Sequence, residues 1–548
     1  MLLKTLLSLS PFLTSRLGAP GESDYPIPTT INLPIPGANY SLYTRVWATE
    51  AADRTCDTVL VRSPYGPDGT ENLALLFALA NYCVVEQNEV GTGDSGGTFK
   101  FWLDAPRDQA ATLSWITSQP WSTGNVFTFG MSADGIVQYE SLHEPQPALR
   151  AMSFMYTSAY LYPVMFEGGQ AFRERLTQHW LDRIQRSNEP SLYYSALLHE
   201  GRTSWWDRGM LTNLTNVVAP TVHMAGWYDI FLQPMLDTHA AIDAHLGGNQ
   251  RLIVGPRGHC FFLRPNAAGW FPNDVLDFVF ASEQTMRLFD GAAGEAEAER
   301  LGAFHLDKIT LYVMGHWDLL ETRGDFWTTL PAWPTSTETM QYRFADDGRL
   351  APAPGSQPAP RSYLYNPLTP IPTAGGNNLF LACGPQDQAP LENNHTDDLL
   401  LWTTEPFHEP SALVGRVAVN LTFSTNVTDT DFSVRLTAVS PHGTSMLLSD
   451  TMVRARWRDG PTTRAPPLVP GRTYTIPVLL WKTAFIFDKG VSLRIAVTSS
   501  NYPRFSANYN NGNGIADPGT PVVAHTTIID GHVSVPLVPL ASLPANVL

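Results

Sequence analysis

Cationic side chains are scarce in this 548-residue chain: 35 Lys and Arg stand against 51 Asp and Glu, a formal net charge of −16. Phosphate backbones are held by clustered Lys and Arg, and no such cluster occurs, so a nucleic-acid partner is not expected and anionic membrane surfaces are disfavoured. No apolar run approaches the roughly 20 residues of a membrane-spanning helix. Four cysteines are too few for a disulfide scaffold, and no spacing in the chain suggests a metal site. Cys56 and Cys83 lie on segments compatible with neighbouring strands, whereas Cys260 and Cys383 are far apart in sequence, and their pairing is open. What is present is globular: 43% hydrophobic and 16% charged residues suffice for a large core, and 11% aromatics suggests wide contact surfaces or pockets. The length exceeds what one hydrophobic core serves, so two or three domains are expected.

The N-terminus carries one positive charge, Lys4, followed by a short leucine-rich run, and reads as a secretory signal over residues 1–19 with a poor cleavage site at Gly18-Ala19; a disordered leader, and with it a cytoplasmic protein, is the alternative. Five N-glycosylation sequons, at Asn39, Asn213, Asn394, Asn420 and Asn426, are compatible with secretion.

Strands and helices then alternate. Ile31 to Pro36 and Tyr40 to Thr49 read as an antiparallel pair, Thr58 to Val61 and Tyr82 to Val85 as buried strands, and Asn72 to Ala80 and Asp104 to Gln119 as helices, which indicates an α/β sheet. Gly91-Thr92-Gly93-Asp94-Ser95-Gly96 matches a dinucleotide fingerprint in letters only. The segment behind it, Gly97 to Trp102, has no helical pattern, and Asp94 would set a like charge beside a phosphate, so a glycine-rich turn on a pocket rim is expected. No cofactor is called for.

The chemistry centres on Thr128-Phe129-Gly130-Met131-Ser132-Ala133-Asp134-Gly135. A strand ends in a glycine, a serine follows two residues on, and a helix-compatible segment begins: the pattern of a nucleophile elbow, in which small neighbours relieve a strained, exposed serine. From 151 to 218 the chain turns to aromatic-rich helices with charged faces, expected to form an inserted cap. The sheet resumes at Pro220 to Asp229 and again at Arg251 to His259, leaving an acid and a histidine just past strand ends. Singly, Asp229 also suits a helix N-cap, and His259 is one of 14 histidines. Jointly, Ser132, Asp229 and His259 follow the chain order of α/β-hydrolase triads at the carboxyl edge of the sheet.

On these stretches the chain resembles the Xaa-Pro dipeptidyl-peptidase-like serine hydrolases, the cocaine esterase and α-amino-acid ester hydrolase group. The matching segments are Arg62 to Tyr65, Gly91 to Gly97, Trp115 to Val126, Gly130 to Gly135, Gly226 to Asp229 and Gly255 to His259, continuing through Gly415 to Val417, Asp429 to Phe432, Arg454 to Arg458 and Asn501 to Phe505. The resemblance implies an α/β-hydrolase core (25–150 and 219–334), a helical cap (151–218) and a C-terminal β jelly-roll (335–548). Short alternating segments separated by Pro, Gly and Asn turns beyond about 335 agree with the last of these. It further implies oxyanion donors from the Ala133 amide and the Tyr65 phenol. Trp227 is a candidate substrate-binding residue, and Glu167, a carboxylate in the cap, is a candidate for taking the free α-amine that a dipeptidyl-peptidase must recognise. Ala133 replaces a usual aromatic and is expected to open the acyl pocket. Asn88 and Val90 replace an Asp and an Arg, which removes a supporting ion pair, and Arg257 replaces a Trp and adds a charge near the site. The expected function is a serine hydrolase of an ester or amide in a small-molecule or short-peptide substrate; an Xaa-Pro dipeptidyl-peptidase and a non-catalytic binding protein are the alternatives.

Overall fold

The computed structural model describes residues 27–48, 55–66, 71–168, 170–186, 189–248, 250–262, 271–272, 274, 276–294, 308–333, 338–353 and 359–544. The leader at 1–19 lies outside them.

A ten-stranded sheet organises the first 330 residues. An antiparallel pair, β1 (Thr29–Pro34) and β2 (Ser41–Trp47), feeds its edge; the parallel interior follows in the spatial order β4 (Cys83–Asn88), β3 (Cys56–Ser63), β5 (Ser122–Met131), β6 (Leu149–Met155), β9 (Thr221–Gly226), β10 (Gln250–Gly255) and β11 (Ile309–Val313), with β12 (Phe326–Leu330) antiparallel at the far edge. Helices cover both faces of the interior strands, so every residue of β4 and β9 is buried, the polar Glu86, Gln87, Asn88 and His223 included. Helix α1 (Glu71–Leu79) lies against β4, α2 (Ala105–Thr117) and α3 (Ala133–Glu140) against β5, α7 (Leu232–Leu246) against β9 and β10, and α8 (Leu276–Ala293) crosses β6, β9 and β10. The Phe289 ring on α8 stacks on Phe127 of β5 at 4.6 Å.

Two boundaries differ from expectation. The residues Trp121 to Asn125, whose Ser, Thr, Gly and Asn predict a turn from sequence, instead open β5 at Ser122, because Ser122 already pairs with Cys56 across a register irregularity. The chain also returns to the sheet once more as β6 before leaving it, so the cap begins after Met155 rather than at 151; Ala151-Met152-Ser153-Phe154-Met155 is a short apolar run without alternation, which periodicity does not separate from a buried helix segment.

Beyond Met155 come α4 (Tyr162–Met165), a small hairpin of β7 (Phe166–Glu167) and β8 (Ala171–Phe172), α5 (Glu174–Ile184) and α6 (Leu192–Leu198). The apolar face of α5, with Thr177, Trp180, Leu181 and Ile184 buried, turns onto a cluster shared with Phe99, Phe101, Trp102 and Ile136 of the core. From Glu338 onward the chain is a β domain of two sheets, eight- and four-stranded, whose longest member, Ala524–Val538, pairs with four other strands. Two disulfides close, Cys56–Cys83 between β3 and β4 and Cys260–Cys383 between the core and the β domain.

The resemblance segments Asp429 to Phe432 and Arg454 to Arg458 hold one another within the β domain and reach the cap at Glu200. Arg454 forms a bidentate pair with Asp431 at 2.9 and 2.8 Å, Arg456 pairs with Asp429 at 2.7 Å, and the cap's Glu200 accepts from the Trp457 indole at 3.1 Å.

Candidate active site

Ser132 sits between β5 and α3 with φ 57° and ψ −127°, a backbone region that side chains avoid at a cost of about 1–3 kcal/mol. The neighbouring glycines make this turn possible. A Cβ on Gly130 would stand 2.5 Å from the Asp134 carbonyl oxygen, and one on Gly135 would stand 2.4 Å from the Thr157 side chain. The turn throws Ser132 Oγ out at the carboxyl edge, where it lies 3.0 Å from His259 Nε2; His259 Nδ1 lies 2.7 Å from Asp229 Oδ2. Asp229 is fully buried and its other oxygen accepts from the Phe231 N–H at 2.8 Å, so the carboxylate is aimed by its own loop. An imidazole bridging a hydroxyl and a buried carboxylate can take the hydroxyl proton while keeping one tautomer.

Ala133 is the first residue of α3, so its N–H has no partner within the helix. The Tyr65 phenol, in the loop after β3, accepts from the Trp180 indole at 2.9 Å, and burial followed by the nearby Asp134 charge pushes its ionisation well up, so it keeps its proton. These two donors and the three side chains above are brought together.

Two other candidates are not. Trp227 is packed in the main core, its indole N–H donating to the Tyr312 carbonyl at 2.7 Å, and its ring is spent on the sheet rather than on the space at Ser132. Glu167 is a correction of the same kind. It is completely buried, its Oε2 accepting from Arg173 Nε at 2.9 Å and from Arg504 Nη2 at 2.8 Å, and Arg504 in turn grips Asp450 at 2.7 Å. A carboxylate met by two guanidinium groups is a cap-to-β-domain tie and has no charge left for a substrate amine. Of the departures from the family pattern, those at 88, 90 and 257 lie away from the pocket, whereas Ala133 lines it. Arg62 pairs with Glu89 at 3.3 Å, next to Asn88, while Val90 packs with Ile35 and Leu42. Arg257 is held by Asp274 at 3.1 Å and Asp277 at 3.2 Å, behind the His259 loop. The Gly91–Gly96 turn closes on itself and lines no part of the Ser132 pocket; its carbonyls at Gly93 and Ser95 receive Arg186 of the cap.

The pocket beside Ser132 is walled by hydrocarbon: Ala133 and Ile136 from α3, Met165 and Trp180 from the cap, Phe231 from the Asp229 loop and Leu379 from the β domain. Its one other hydroxyl, Thr177 Oγ1, is buried without a partner. Leu379 and the supports around it were invisible in sequence. Asn377 donates to the carbonyls of Trp227 and Asp229 at 3.1 and 2.7 Å, and the Cys260–Cys383 bridge starts one residue after His259. Both lie over 110 residues from what they hold, and no local pattern announces such a contact.

A family profile described as X-Pro dipeptidyl-peptidase (S15 family) matches residues 38–192 and 174–261, and one described as X-Pro dipeptidyl-peptidase C-terminal non-catalytic domain matches 305–533. The chain belongs to the Xaa-Pro dipeptidyl-peptidase-like serine hydrolases. Cocaine esterase of Rhodococcus sp. (strain MB1 Bresler) is 28% identical over 530 residues, covering 85% of this chain and 89% of that protein. An α-amino acid ester hydrolase structure superposes with TM-score 0.78 at 19% identity over 97% of this chain and all of that one, and an aminopeptidase from a marine sediment Thaumarchaeota archaeon with 0.77 at 20% identity over 95% and 98%. This family member is thus an α/β-hydrolase with a C-terminal β domain and a serine hydrolase of ester or peptide bonds. Among its described residues no helix is long and apolar enough to cross a membrane.

Asp134 adds a pH dependence. It is buried at the second position of α3, and desolvation first, with the neighbouring Glu89 adding to it against a bond from Ser63, pushes its carboxyl up to about 8. Glu89 itself is pushed up to about 7, again by burial, against the pull of Arg62. Below that value Asp134 is neutral; above it a negative charge appears beside Ala133 and Tyr65. Turnover is therefore expected to fall as pH rises through about 8, and Asp134→Asn to remove that alkaline limb, read from kcat/KM between pH 6.5 and 9.5. An identical limb in the variant would assign it elsewhere. The same shift carries a stability sign. The folded state keeps a proton that the unfolded chain releases near its ordinary value of about 3.9, so this site's contribution is full below that pH and is lost as pH rises to about 8.

Proposed function

We propose that this chain is a carboxylic-ester hydrolase for small substrates with a neutral, apolar acyl group, working through Ser132, His259 and Asp229. The observation that carries the acyl preference is the hydrocarbon wall at Ser132, which among the described residues offers no carboxylate to an α-ammonium group. A dipeptidyl-peptidase must neutralise that ammonium, because burying an unpaired charge in such a wall costs several kcal/mol.

Ser132 Oγ attacks the ester carbon as its proton passes to His259 Nε2, and the new imidazolium is stabilised by Asp229. The carbonyl oxygen becomes an oxyanion held by the Ala133 N–H and the Tyr65 O–H, donors of a kind worth roughly 2.7–4 kcal/mol each. His259 returns the proton to the departing alcohol, then takes one from the water that cleaves the acyl-enzyme and restores Ser132.

The test is a substrate panel: neutral aryl esters of short and branched acids against aminoacyl-proline anilides. Ester turnover with inert anilides is the expected result, and preferential release of Xaa-Pro would overturn it. Because Ala133 lines the pocket, Ala133→Tyr is expected to lower kcat/KM for branched acyl esters more than for acetyl esters, by about 1–3 kcal/mol of overpacking where the larger group must fit. Equal losses would place the acyl group elsewhere.

The compartment belongs to the same reading. Two disulfides and five sequon asparagines, all exposed, support passage through the secretory pathway, where thiols oxidise and such asparagines are glycosylated.

A further inference from the structure

Helix α5 of the cap reaches the Tyr65 phenol twice. Trp180 Nε1 donates to the phenolic oxygen at 2.9 Å, and one turn on, the Arg183 guanidinium lies 5.1 Å from the centre of the Tyr65 ring. Neither contact comes from the core that carries Tyr65; the two residues of the hydrogen bond are 115 positions apart. Trp180 is held firmly for this purpose. Its ring stacks on Trp102 at 5.7 Å, lies edge-on to Phe101 at 6.5 Å, and is 8% exposed.

An indole N–H only donates, whereas a phenol oxygen both accepts and donates through a single proton free to rotate about its C–O bond. With the indole proton occupying one acceptor position of the oxygen, the phenol's own proton must take another direction, and Ser132 is the other hydroxyl close enough to act on the phenol. We propose that Trp180 is a positioning residue that fixes the Tyr65 hydroxyl so that its proton is already aimed at the oxyanion forming above Ser132. This rests on the oxyanion role assigned to Tyr65. The oxyanion hole is then completed by the cap: its amide comes from α3 and its phenol from the loop after β3, but the phenol's orientation comes from α5. A preorganised donor acts on the transition state more than on the bound ester, so the contact is expected to appear in kcat and hardly in KM.

The test is a double-mutant cycle with an acetyl aryl ester. Tyr65→Phe is expected to lower kcat about a hundredfold. Trp180→Phe should lower it about tenfold with KM nearly unchanged, and the same change made in the Tyr65→Phe enzyme should cost nothing further. Replacing Trp180 by benzothienylalanine, which exchanges only the ring N–H for sulfur and keeps the ring's shape, should reproduce the tenfold loss even where the smaller phenyl ring perturbs the cap. If the Trp180→Phe factor persists undiminished without the Tyr65 hydroxyl, or the sulfur analogue keeps full kcat, Trp180 is a packing residue and the proposal fails while the role of Tyr65 stands. A Tyr65→Phe enzyme with full kcat would remove the role of Tyr65, and this inference with it.

Discussion

Ser132→Ala is expected to lower ester hydrolysis by at least about 10⁴-fold while leaving thermal unfolding unchanged. The variant loses one hydroxyl and nothing else. Ser132 Oγ makes its hydrogen bond to His259 Nε2, whereas the turn itself is held by the Ser132 N–H on the Met155 carbonyl at 3.1 Å and by the Gly135 and Ile136 amides on the Ser132 carbonyl at 3.0 and 3.2 Å. All three backbone bonds survive the substitution, and alanine keeps the Cβ and hence the same strained φ. The activity that remains is what oxyanion donors and binding supply without a nucleophile. A fluorophosphonate probe should label the parent protein on Ser132 and leave the variant unlabelled. Turnover above a hundredth of the parent, or labelling at another serine, would remove Ser132 from the mechanism.

The second large effect concerns the β domain. A chain ending near residue 334 is expected to give no soluble, active enzyme, because the missing part supplies a wall of the pocket and supports two of the three acting side chains. Leu379 lines the pocket, Asn377 holds the Asp229 loop through two carbonyls, and Cys383 bridges to Cys260 beside His259. The truncation also strands charge. Glu167 loses Arg504, and the cap's Glu200 loses Trp457 and Arg456. Removing one partner of a buried ion pair typically costs about 3–5 kcal/mol, a large part of the 5–15 kcal/mol by which a protein exceeds its unfolded state. Arg504→Ala isolates one of these ties in the full-length chain and should lower the unfolding midpoint, while Asn377→Ala should lower kcat with a smaller change in stability. An active, soluble 1–334 fragment would show that the β domain is a detachable module.

The parts of this protein that follow from local chemistry were legible before any coordinates. An elbow needs small residues at 130 and 135 within a strand–turn–helix, and the triad residues follow strand ends in a fixed chain order, so Ser132, Asp229 and His259 stand out in one sequence. Strand periodicity likewise located most of the parallel sheet and several strands of the β domain. What depended on contacts between distant segments was not legible. Whether Glu167 meets a substrate amine or two arginines, and whether Trp227 faces a pocket or the sheet, turns on partners at positions 173, 504 and 312, and burial of a charge or an indole is settled by those partners alone. The same holds for the apolar run 149–155, which joined the sheet because β5 and β9 stood ready on either side of it. Sequence determined which groups react, since a nucleophile, a base and an acid must be particular residue types at particular turns. Only the tertiary structure decided what surrounds them, because Leu379, Asn377 and Trp180 reach the site by long-range packing, which leaves no spacing to read.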